Sequence, residues 1–140
     1  MTAKLLLVED DRVERALMIE AIKGVSDADV VVMGDGRQAL EYLRKNGPDS
    51  PDAPAVVFLD LSMPVVDGLG VLREFQRQAN ADRVPVVIFT ASDAEADRDL
   101  GYEFGANAFV MKPMTPAKLQ EVVQAAAAFW LHSNVRPPAR

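Results

Sequence analysis

The chain has 140 residues, of which 49% are hydrophobic and 26% charged, and its formal net charge is −6. This length and composition are typical of one globular domain that buries its own core. The acidic balance argues against a nucleic-acid or anionic-membrane partner, because both surfaces are negatively charged. The sequence has no cysteine and a single histidine, His132, which excludes disulfides, thiol chemistry and histidine-rich metal sites.

The sequence shows no pattern of secretion or membrane insertion. The N-terminal stretch MTAKLLLVEDD is too short and too acidic for a signal peptide. The longest apolar run, residues 125–131, is too short to cross a bilayer. We therefore expect a cytoplasmic protein.

Five short apolar runs alternate along the chain with five helical patterns. The runs predict strands at residues 5–8, 30–33, 56–59, 86–89 and 108–111. The run at 56–59, VVFL, has no polar alternation, which indicates a strand buried on both faces. It leads directly into Asp60, where desolvation makes a charge costly.

The helical patterns carry start and stop signals. The first ends near Gly24, and the second, RQALEYLRKNG, is stopped by Gly47 and Pro48. The start signals are Asp11 with Glu14 as a capping box, Asp67 with Gly68, Ser92 with Glu95 as a second capping box, and Thr115 with Pro116 at the first helical position.

The alternation of strand and helix predicts an α/β fold. Parallel strands joined by right-handed helical crossovers form a doubly wound sheet, with helices on both faces. Such sheets bind their ligands outside the carboxyl ends of the strands. The residues that follow each predicted strand are therefore the first candidates for a functional site.

Polar side chains follow four of the five predicted strands. The segments that carry them are Glu9, Asp10 and Asp11 after the first strand, Asp60 after the third, Thr90 and Ser92 on either side of Ala91 after the fourth, and Lys112, followed by Pro113, after the fifth. Each has a structural explanation: acids favour helix N-termini, Thr suits a strand and Lys reaches out to water. Taken alone, Asp60 is better explained as a loop residue or a helix cap. Because all four groups fall on one edge of one sheet, we favour a shared site.

These groups together predict a phosphoryl-transfer site. Crowded carboxylates repel one another, and a dication relieves that repulsion. Oxygen ligands without His or Cys point to Mg²⁺. A carboxylate beside the metal can attack phosphorus and form an acyl phosphate, while lysine, hydroxyl and backbone N–H groups hold the phosphoryl oxygens. The position of Asp60 fits the attacking carboxylate.

At these motifs the sequence resembles the response-regulator receiver domain of two-component signalling, over roughly residues 4 to 131. The stretches that carry the resemblance are LLLVEDD, VVFLDLSMPVVDG, VVIFTAS and GANAFVMKP, in that order. The resemblance implies a flavodoxin-like five-stranded parallel sheet of strand order 2-1-3-4-5 with five helices.

The resemblance also implies the role of each acidic residue. Asp60 is the expected phospho-acceptor, taking its phosphoryl group from the phosphohistidine of a sensor histidine kinase. Asp10 would ligate Mg²⁺ directly, Glu9 through water, and the Ser62 backbone carbonyl and Asp60 would complete the protein ligands; Mn²⁺ is the alternative metal. Glu9 stands where many family members have Asp, which leaves the detailed metal geometry open.

Further family roles fall on the last two strands. Thr90, the Ala91 backbone and Lys112 would bind the phosphoryl group, and Phe109 matches the family's switch aromatic, which turns inward as the Thr90 hydroxyl moves toward the phosphate. The family's Lys-Pro peptide bond is usually cis, so a cis bond is expected at Lys112–Pro113. The protein would not be an enzyme beyond catalysing its own phosphorylation and dephosphorylation at Asp60.

The C-terminal region predicts how the signal leaves the protein. We expect a receiver domain at residues 1–132 and an extension at 133–140 that is too short to form an output domain, so that the surface of the fourth helix, fifth strand and fifth helix signals by protein contact. The last helix is apolar around much of its girth, which favours a homodimer through Val122, Phe129, Trp130 and Leu131. An ordinary amphipathic helix with a wide alanine stripe is the alternative.

The ending FWL and the proline-rich extension refine the expected partner. They resemble single-domain receivers that partner bacterial phytochrome kinases. The prolines at 137 and 138 favour an extended arm that lies against a partner rather than folding back.

Three other classes of protein share part of this pattern. A haloacid-dehalogenase-type phosphatase would need a nucleophilic Asp on the first strand and a second Asp two residues later, where this chain has Ser62. A flavodoxin-like electron carrier would need a hydroxyl- and glycine-rich loop after the first strand, where EDD repels phosphate. A receiver-fold module that ignores phosphate has no reason to keep Asp10, Asp60, Thr90 and Lys112 together.

Overall fold

The computed structural model describes residues 2–63 and 66–138. Within these ranges, five strands alternate with five helices. In chain order they are β1 (Lys4–Val8), α1 (Arg12–Lys23), β2 (Asp29–Met33), α2 (Gly36–Lys45), β3 (Val56–Asp60), α3 (Gly68–Phe75), β4 (Val86–Thr90), α4 (Glu95–Glu103), β5 (Ala108–Met111) and α5 (Pro116–Ala128).

The strands form one parallel sheet in the order β2-β1-β3-β4-β5. This confirms the predicted flavodoxin-like α/β fold. The register sets Val8 beside Leu59, Asp60 beside Phe89, and Thr90 beside Met111. The carboxyl ends of β1, β3, β4 and β5 therefore lie level along one edge of the sheet.

Each face of the sheet packs against helices and forms one half of the core. Leu6, Val57 and Leu59 pack with Leu72 and Phe75 of α3 and with residues of α2 on one face. The other face carries a second set of buried residues that packs with α1 and α5, namely Leu5, Leu7, Phe58, Phe89, Met18, Ile22, Leu119 and Val123. The four residues of the apolar run at 56–59 are buried as predicted, and Asp60, the last residue of β3, is buried as well. Burial of each large side chain stabilises the fold by about 1.5–3 kcal/mol, so β3 is held firmly in place.

Side-chain caps fix the starts of four helices. Asp11, Asp35, Asp67 and Thr115 each accept a hydrogen bond from a backbone N–H in the first turn of α1, α2, α3 and α5. The prediction that Ser92 caps α4 is wrong. The Ser92 hydroxyl instead donates to an Asp97 carboxylate oxygen at 2.6 Å, and the helix begins at Glu95 without a side-chain cap.

The Lys112–Pro113 peptide bond also differs from its prediction. It is trans, and no cis peptide bond occurs in the part of the chain that the structure describes. The trans form is intrinsically favoured by about 0.5–1 kcal/mol for a bond before proline. With this bond trans, the Lys112 backbone N–H donates to the Thr90 carbonyl at 2.7 Å and its ammonium reaches the strand ends, so no contact here requires the cis form.

The C-terminal segment folds back onto its own chain, contrary to the prediction of a projecting arm. After a π-helical turn at Phe129–Ser133, the Arg83 guanidinium donates a hydrogen bond to the Pro138 carbonyl. Arg136, Pro137 and Pro138 line a cavity of about 480 Å³ together with the loop at residues 48–54. This cavity lies where the loops enter β3 and β4, at the opposite edge of the sheet from Asp60.

None of the described helices is both long and apolar enough to span a membrane.

Candidate functional site

The predicted polar residues meet at the carboxyl edge of the sheet. Asp60 is the last residue of β3, Thr90 is the last residue of β4, and Glu9 directly follows β1. All three residues are buried, with exposed fractions of 1% for Glu9, 6% for Asp60 and 2% for Thr90. The fold therefore places charge where burial is energetically costly, which favours a functional role over a structural one.

Lys112 joins the acidic residues of this site through its ammonium group. Its Nζ lies 2.5 Å from Glu9 Oε1, 3.2 Å from Glu14 Oε2 and 3.3 Å from Asp60 Oδ1. The Lys112 side chain is only 5% exposed, so these contacts operate where water screens them little. One cation thus bridges carboxylates from β3, from the segment after β1 and from α1.

Burial and mutual repulsion make the carboxylates hard to ionise. Burial raises the pKa of Glu9 from its ordinary 4.5 to about 7; the nearby Asp60 charge acts in the same direction, and the hydrogen bond from Lys112 opposes both. Burial likewise raises the pKa of Asp60, although the Lys112 charge and the Ser62 backbone N–H favour its ionised form. A cation bound at this site would therefore favour the ionised forms of Glu9 and Asp60.

The Lys112 ammonium keeps its proton in this environment. Burial alone would lower the pKa of Lys112, but the Glu9 hydrogen bond and the charges of Asp60, Glu9 and Glu14 more than compensate and raise it above its ordinary value. A fixed positive charge therefore faces Asp60 at neutral pH, placed to attract an anionic group that approaches that carboxylate.

Three of these acids could hold a divalent cation. One carboxylate oxygen from each of Glu9, Asp10 and Asp60 lies within 4.8 Å of the others. An all-oxygen donor set with several carboxylates suits Mg²⁺ or Mn²⁺. Both Glu9 oxygens already have partners, since Oε1 accepts from Lys112 and Oε2 accepts from the Asp11 backbone N–H at 3.2 Å. This geometry fits the predicted water-mediated role of Glu9 better than a direct bond to the metal.

The loop after β4 lies at the same edge. The Thr90 hydroxyl accepts a hydrogen bond from the Ser92 backbone N–H at 3.2 Å, so Thr90 shapes the turn that carries Ala91. Ala91 is exposed, and its methyl group leaves the nearby backbone open to a ligand. The structure thus brings Thr90 and Ala91 to the edge that holds Asp60.

Phe109 lies behind this edge, on β5. Its ring is partly buried against the core face that carries α2 and α3, and its centroid is 6.5 Å from that of Tyr102 on α4. An added Cβ at Gly101 would lie 3.3 Å from the Phe109 ring, so α4 packs closely over it. Movement of the Phe109 ring would therefore change its packing against α4.

Two features of the site were missed by the sequence reasoning. Glu14 was assigned to a capping box, but its carboxylate contacts Lys112, and the Asp11 backbone N–H bonds to Glu9 instead. Gly68 packs so closely on β3 that a Cβ there would overlap the Asp60 carbonyl oxygen. The Asp-Gly pair at 67–68 was the available signal for that close approach. Glu14 offered none beyond being an acid in the first turn of α1.

Comparison with known proteins agrees with this geometry. The family model described as "Response regulator receiver domain" matches residues 5–124. The chain belongs to the response regulator receiver family. Receiver domains of this family are signalling proteins of two-component systems, and they bind divalent metal ions.

Similar proteins include response regulators, two of which are named as phytochrome response regulators. Response regulator Rcp1 of Synechocystis sp. is 32% identical over 137 residues, which cover 96% of this chain and 93% of Rcp1. The crystal structure of its Mn²⁺-bound form has a TM-score of 0.87 and covers 97% of this chain and 99% of Rcp1. The phosphorylated cyanobacterial phytochrome response regulator RcpA is 31% identical, with a TM-score of 0.90 over 99% of this chain and 100% of its own. The bacteriophytochrome response regulator AtBRR is 35% identical, with a TM-score of 0.73 over 100% of this chain and 99% of its own.

Proposed function

We propose that this protein is a response regulator that accepts a phosphoryl group on Asp60 from a sensor histidine kinase, in a reaction that depends on Mg²⁺. The observation that carries the proposal is the contact of the buried Lys112 ammonium with Asp60, beside an acidic cluster able to hold a dication. Phosphorylated RcpA and Mn²⁺-bound Rcp1 support the same chemistry in related chains.

The proposed transfer uses the ionised Asp60 carboxylate as nucleophile. One Asp60 oxygen attacks phosphorus as the bond from phosphorus to the kinase's histidine nitrogen breaks, and that nitrogen keeps the bonding electron pair. Asp10 and Asp60, with Glu9 through water and the Ser62 carbonyl, are the groups proposed to hold Mg²⁺, which when bound would neutralise charge on the phosphoryl oxygens. Lys112, the Thr90 hydroxyl and the Ala91 backbone N–H would hold those oxygens.

The product would act as a switch rather than as a step in turnover. A phosphoryl group on Asp60 adds negative charge beside Lys112 and within reach of Thr90. We propose that Thr90 and Lys112 move toward it and that Phe109 turns inward, which changes the surface of α4, β5 and α5. In this account the chain catalyses only its own phosphorylation and the hydrolysis of its acyl phosphate.

The proposed partners are proteins. The names of RcpA and AtBRR, both phytochrome response regulators, support a bacteriophytochrome as the kinase, and the net charge of −6 disfavours nucleic acid.

A homodimer on α5 is also proposed. Phe129 is 50% exposed and Ala125 is exposed on the same side of the helix. Val122, Trp130 and Leu131 are partly buried against the chain's own core, so Phe129 carries most of the proposed contact.

The chemistry can be tested with a small phosphodonor and intact-protein mass spectrometry. Wild-type protein with Mg²⁺ should gain the mass of one phosphoryl group, and chelation of the metal should prevent the gain. Asp10→Asn should slow the reaction strongly because it removes a proposed metal ligand. Unchanged labelling under chelation would contradict the metal-dependent mechanism.

A further inference from the structure

Glu14 is the one carboxylate partner of Lys112, among the described residues, that stands outside the acidic cluster. The Lys112 ammonium contacts Glu9, Glu14 and Asp60. Glu9 and Asp60 also belong to the group whose oxygens could hold a metal ion, whereas Glu14 does not. Glu14 lies in the first turn of α1 and its side chain is 35% exposed.

A metal ion would draw on two of the carboxylates that already contact Lys112, those of Glu9 and Asp60. Glu9 Oε1 accepts from Lys112 and Glu9 Oε2 from the Asp11 backbone N–H, so a divalent cation that engages Glu9, directly or through water, shares the charge of this carboxylate with Lys112. Asp60 Oδ1 faces Lys112 as well. Divalent metal binding therefore draws carboxylate charge away from an ammonium group that is 5% exposed.

A buried ammonium that loses its partners is energetically costly. Glu14 can offset that cost, because its oxygen is 3.2 Å from Lys112 Nζ. Its backbone is also held in place, since Asp11 caps α1 by accepting from the Val13 and Glu14 backbone N–H groups. Glu14 thus stays available to Lys112 when Glu9 and Asp60 turn to the metal.

We propose that Glu14 is a positioning residue that holds the Lys112 ammonium at the site while Glu9 and Asp60 engage the divalent metal. It thereby stabilises the metal-bound state and keeps Lys112 beside Asp60 for the incoming phosphoryl group. The proposal rests on the proposed function only in requiring that the acidic cluster binds a divalent cation.

The test measures Mn²⁺ binding by electron paramagnetic resonance, without any phosphodonor. Glu14→Gln should weaken Mn²⁺ binding by about three- to tenfold, because Lys112 then has no substitute partner. Glu20→Gln, which removes the same charge from an exposed position on α1, should leave the affinity within about twofold of wild type. Equal losses in the two variants, or no loss in Glu14→Gln, would overturn the proposal.

A double-mutant cycle separates the effect of the Glu14–Lys112 contact from the general effect of removing a negative charge near the metal site. In a Lys112→Met background, Glu14→Gln should change Mn²⁺ affinity by less than about twofold, since Glu14 has no ammonium left to hold. The same loss as in the wild-type background would overturn the proposal. If Lys112→Met does not fold, a crystal structure of the Mn²⁺-bound wild type replaces it: Lys112 Nζ should lie within hydrogen-bonding distance of a Glu14 oxygen, and separation of the two groups would be the contrary result.

The outcomes also distinguish this inference from the proposed function. Wild-type protein that binds Mn²⁺ and is phosphorylated, with no effect of Glu14→Gln on Mn²⁺ binding, overturns only the role of Glu14. Wild-type protein that does not bind Mn²⁺ overturns both.

Discussion

At the scale of single residues, the defining feature is a pair of buried carboxylates that share one lysine. Glu9 has a pKa of about 7 in the folded protein, raised from its ordinary 4.5 by burial and by Asp60. At a pH between these two pKa values, Glu9 binds a proton more tightly in the folded state than in the unfolded state. The metal-free protein should therefore lose stability as pH rises through this range.

The predicted loss is on the order of 2 kcal/mol in the free energy of unfolding between pH 5 and pH 7.5. Asp60 contributes in the same direction because its pKa is also raised. The raised pKa of Lys112 acts only at far higher pH. Urea unfolding at several pH values measures the slope, and Glu9→Gln should flatten it. An equally steep slope in Glu9→Gln would show that Glu9 is not the titrating group.

Bound metal should reverse this trend. Mg²⁺ binding requires ionised carboxylates, so a saturating Mg²⁺ concentration should stabilise the wild-type protein more at pH 7.5 than at pH 5. Thermal unfolding with and without Mg²⁺ at the two pH values checks this, with Asp10→Asn as the variant that should respond least. A larger stabilisation at pH 5 would contradict the assignment of the acidic cluster as the metal site.

Much of the site could be predicted from sequence because it follows from topology. Glu9, Asp60, Thr90 and Lys112 all come at the ends of strands, and parallel strands bring their carboxyl ends to one edge. Glu14 could not be predicted in the same way, because its contact joins residues 98 positions apart and depends on the rotation of α1 over the sheet. The isomer of the Lys112–Pro113 peptide bond could not be predicted from the sequence pattern either, since the cis and trans forms before proline differ little in energy.

At the scale of elements, the close packing of α3 on β3 sets the position of Asp60. A Cβ at Gly68 would overlap the Asp60 carbonyl oxygen and lie 2.7 Å from Leu61 Cα. Gly68→Ala should therefore reduce the free energy of unfolding by about 3 kcal/mol. Gly34→Ala is the control, since its Cβ would make only ordinary contacts, at 3.5 Å and beyond. Chemical denaturation compares the two variants, and equal stability would contradict the steric argument.

The proposed switch also belongs to this scale, because it would link β4, β5 and α4. We expect Thr90→Ala to uncouple Phe109 from the site, since the Thr90 hydroxyl is the group proposed to move toward the phosphoryl oxygens. Lys112→Ala should still be phosphorylated, at least slowly, but should not pass the change to β5. Nuclear magnetic resonance spectra with and without beryllium fluoride report the change at Phe109. Full wild-type shifts in both variants would refute this coupling.

The elements themselves were predicted well where local signals agree with tertiary packing. Every strand was placed to within one residue at each end, because buried apolar runs mark the strands of a parallel sheet. The start of α4 was placed too early because the Ser92 hydroxyl bonds to Asp97 rather than to the backbone N–H of Glu95. The interface predicted at Trp130 and Leu131 stays a prediction, and the structure adds that both side chains are partly buried against the chain's own core, which helical periodicity alone does not reveal.

At the scale of the whole molecule, α5 and the π-helical turn that follows it form the surface proposed for self-association. Phe129 is exposed, and its ring packs edge-on against Trp130 at 5.0 Å. Phe129→Glu should weaken the dimer by at least about tenfold, because a charge replaces its main apolar contact. Val13→Glu is the control, since Val13 is 69% exposed but lies on α1. Light scattering across a concentration series measures the effect. A monomeric wild-type protein at tens of micromolar, roughly where functional interfaces hold, would end the dimer proposal.

The central claim is that Asp60 carries the phosphoryl group. The most direct measurement is residue-level mapping of the acyl phosphate, by borohydride reduction and tandem mass spectrometry after reaction with a small phosphodonor and Mg²⁺. The account predicts that Asp60 alone is modified in the wild-type protein and that Asp60→Asn carries no label. Label on Glu9 or Asp10 in the wild type, or undiminished labelling of Asp60→Asn, would contradict it.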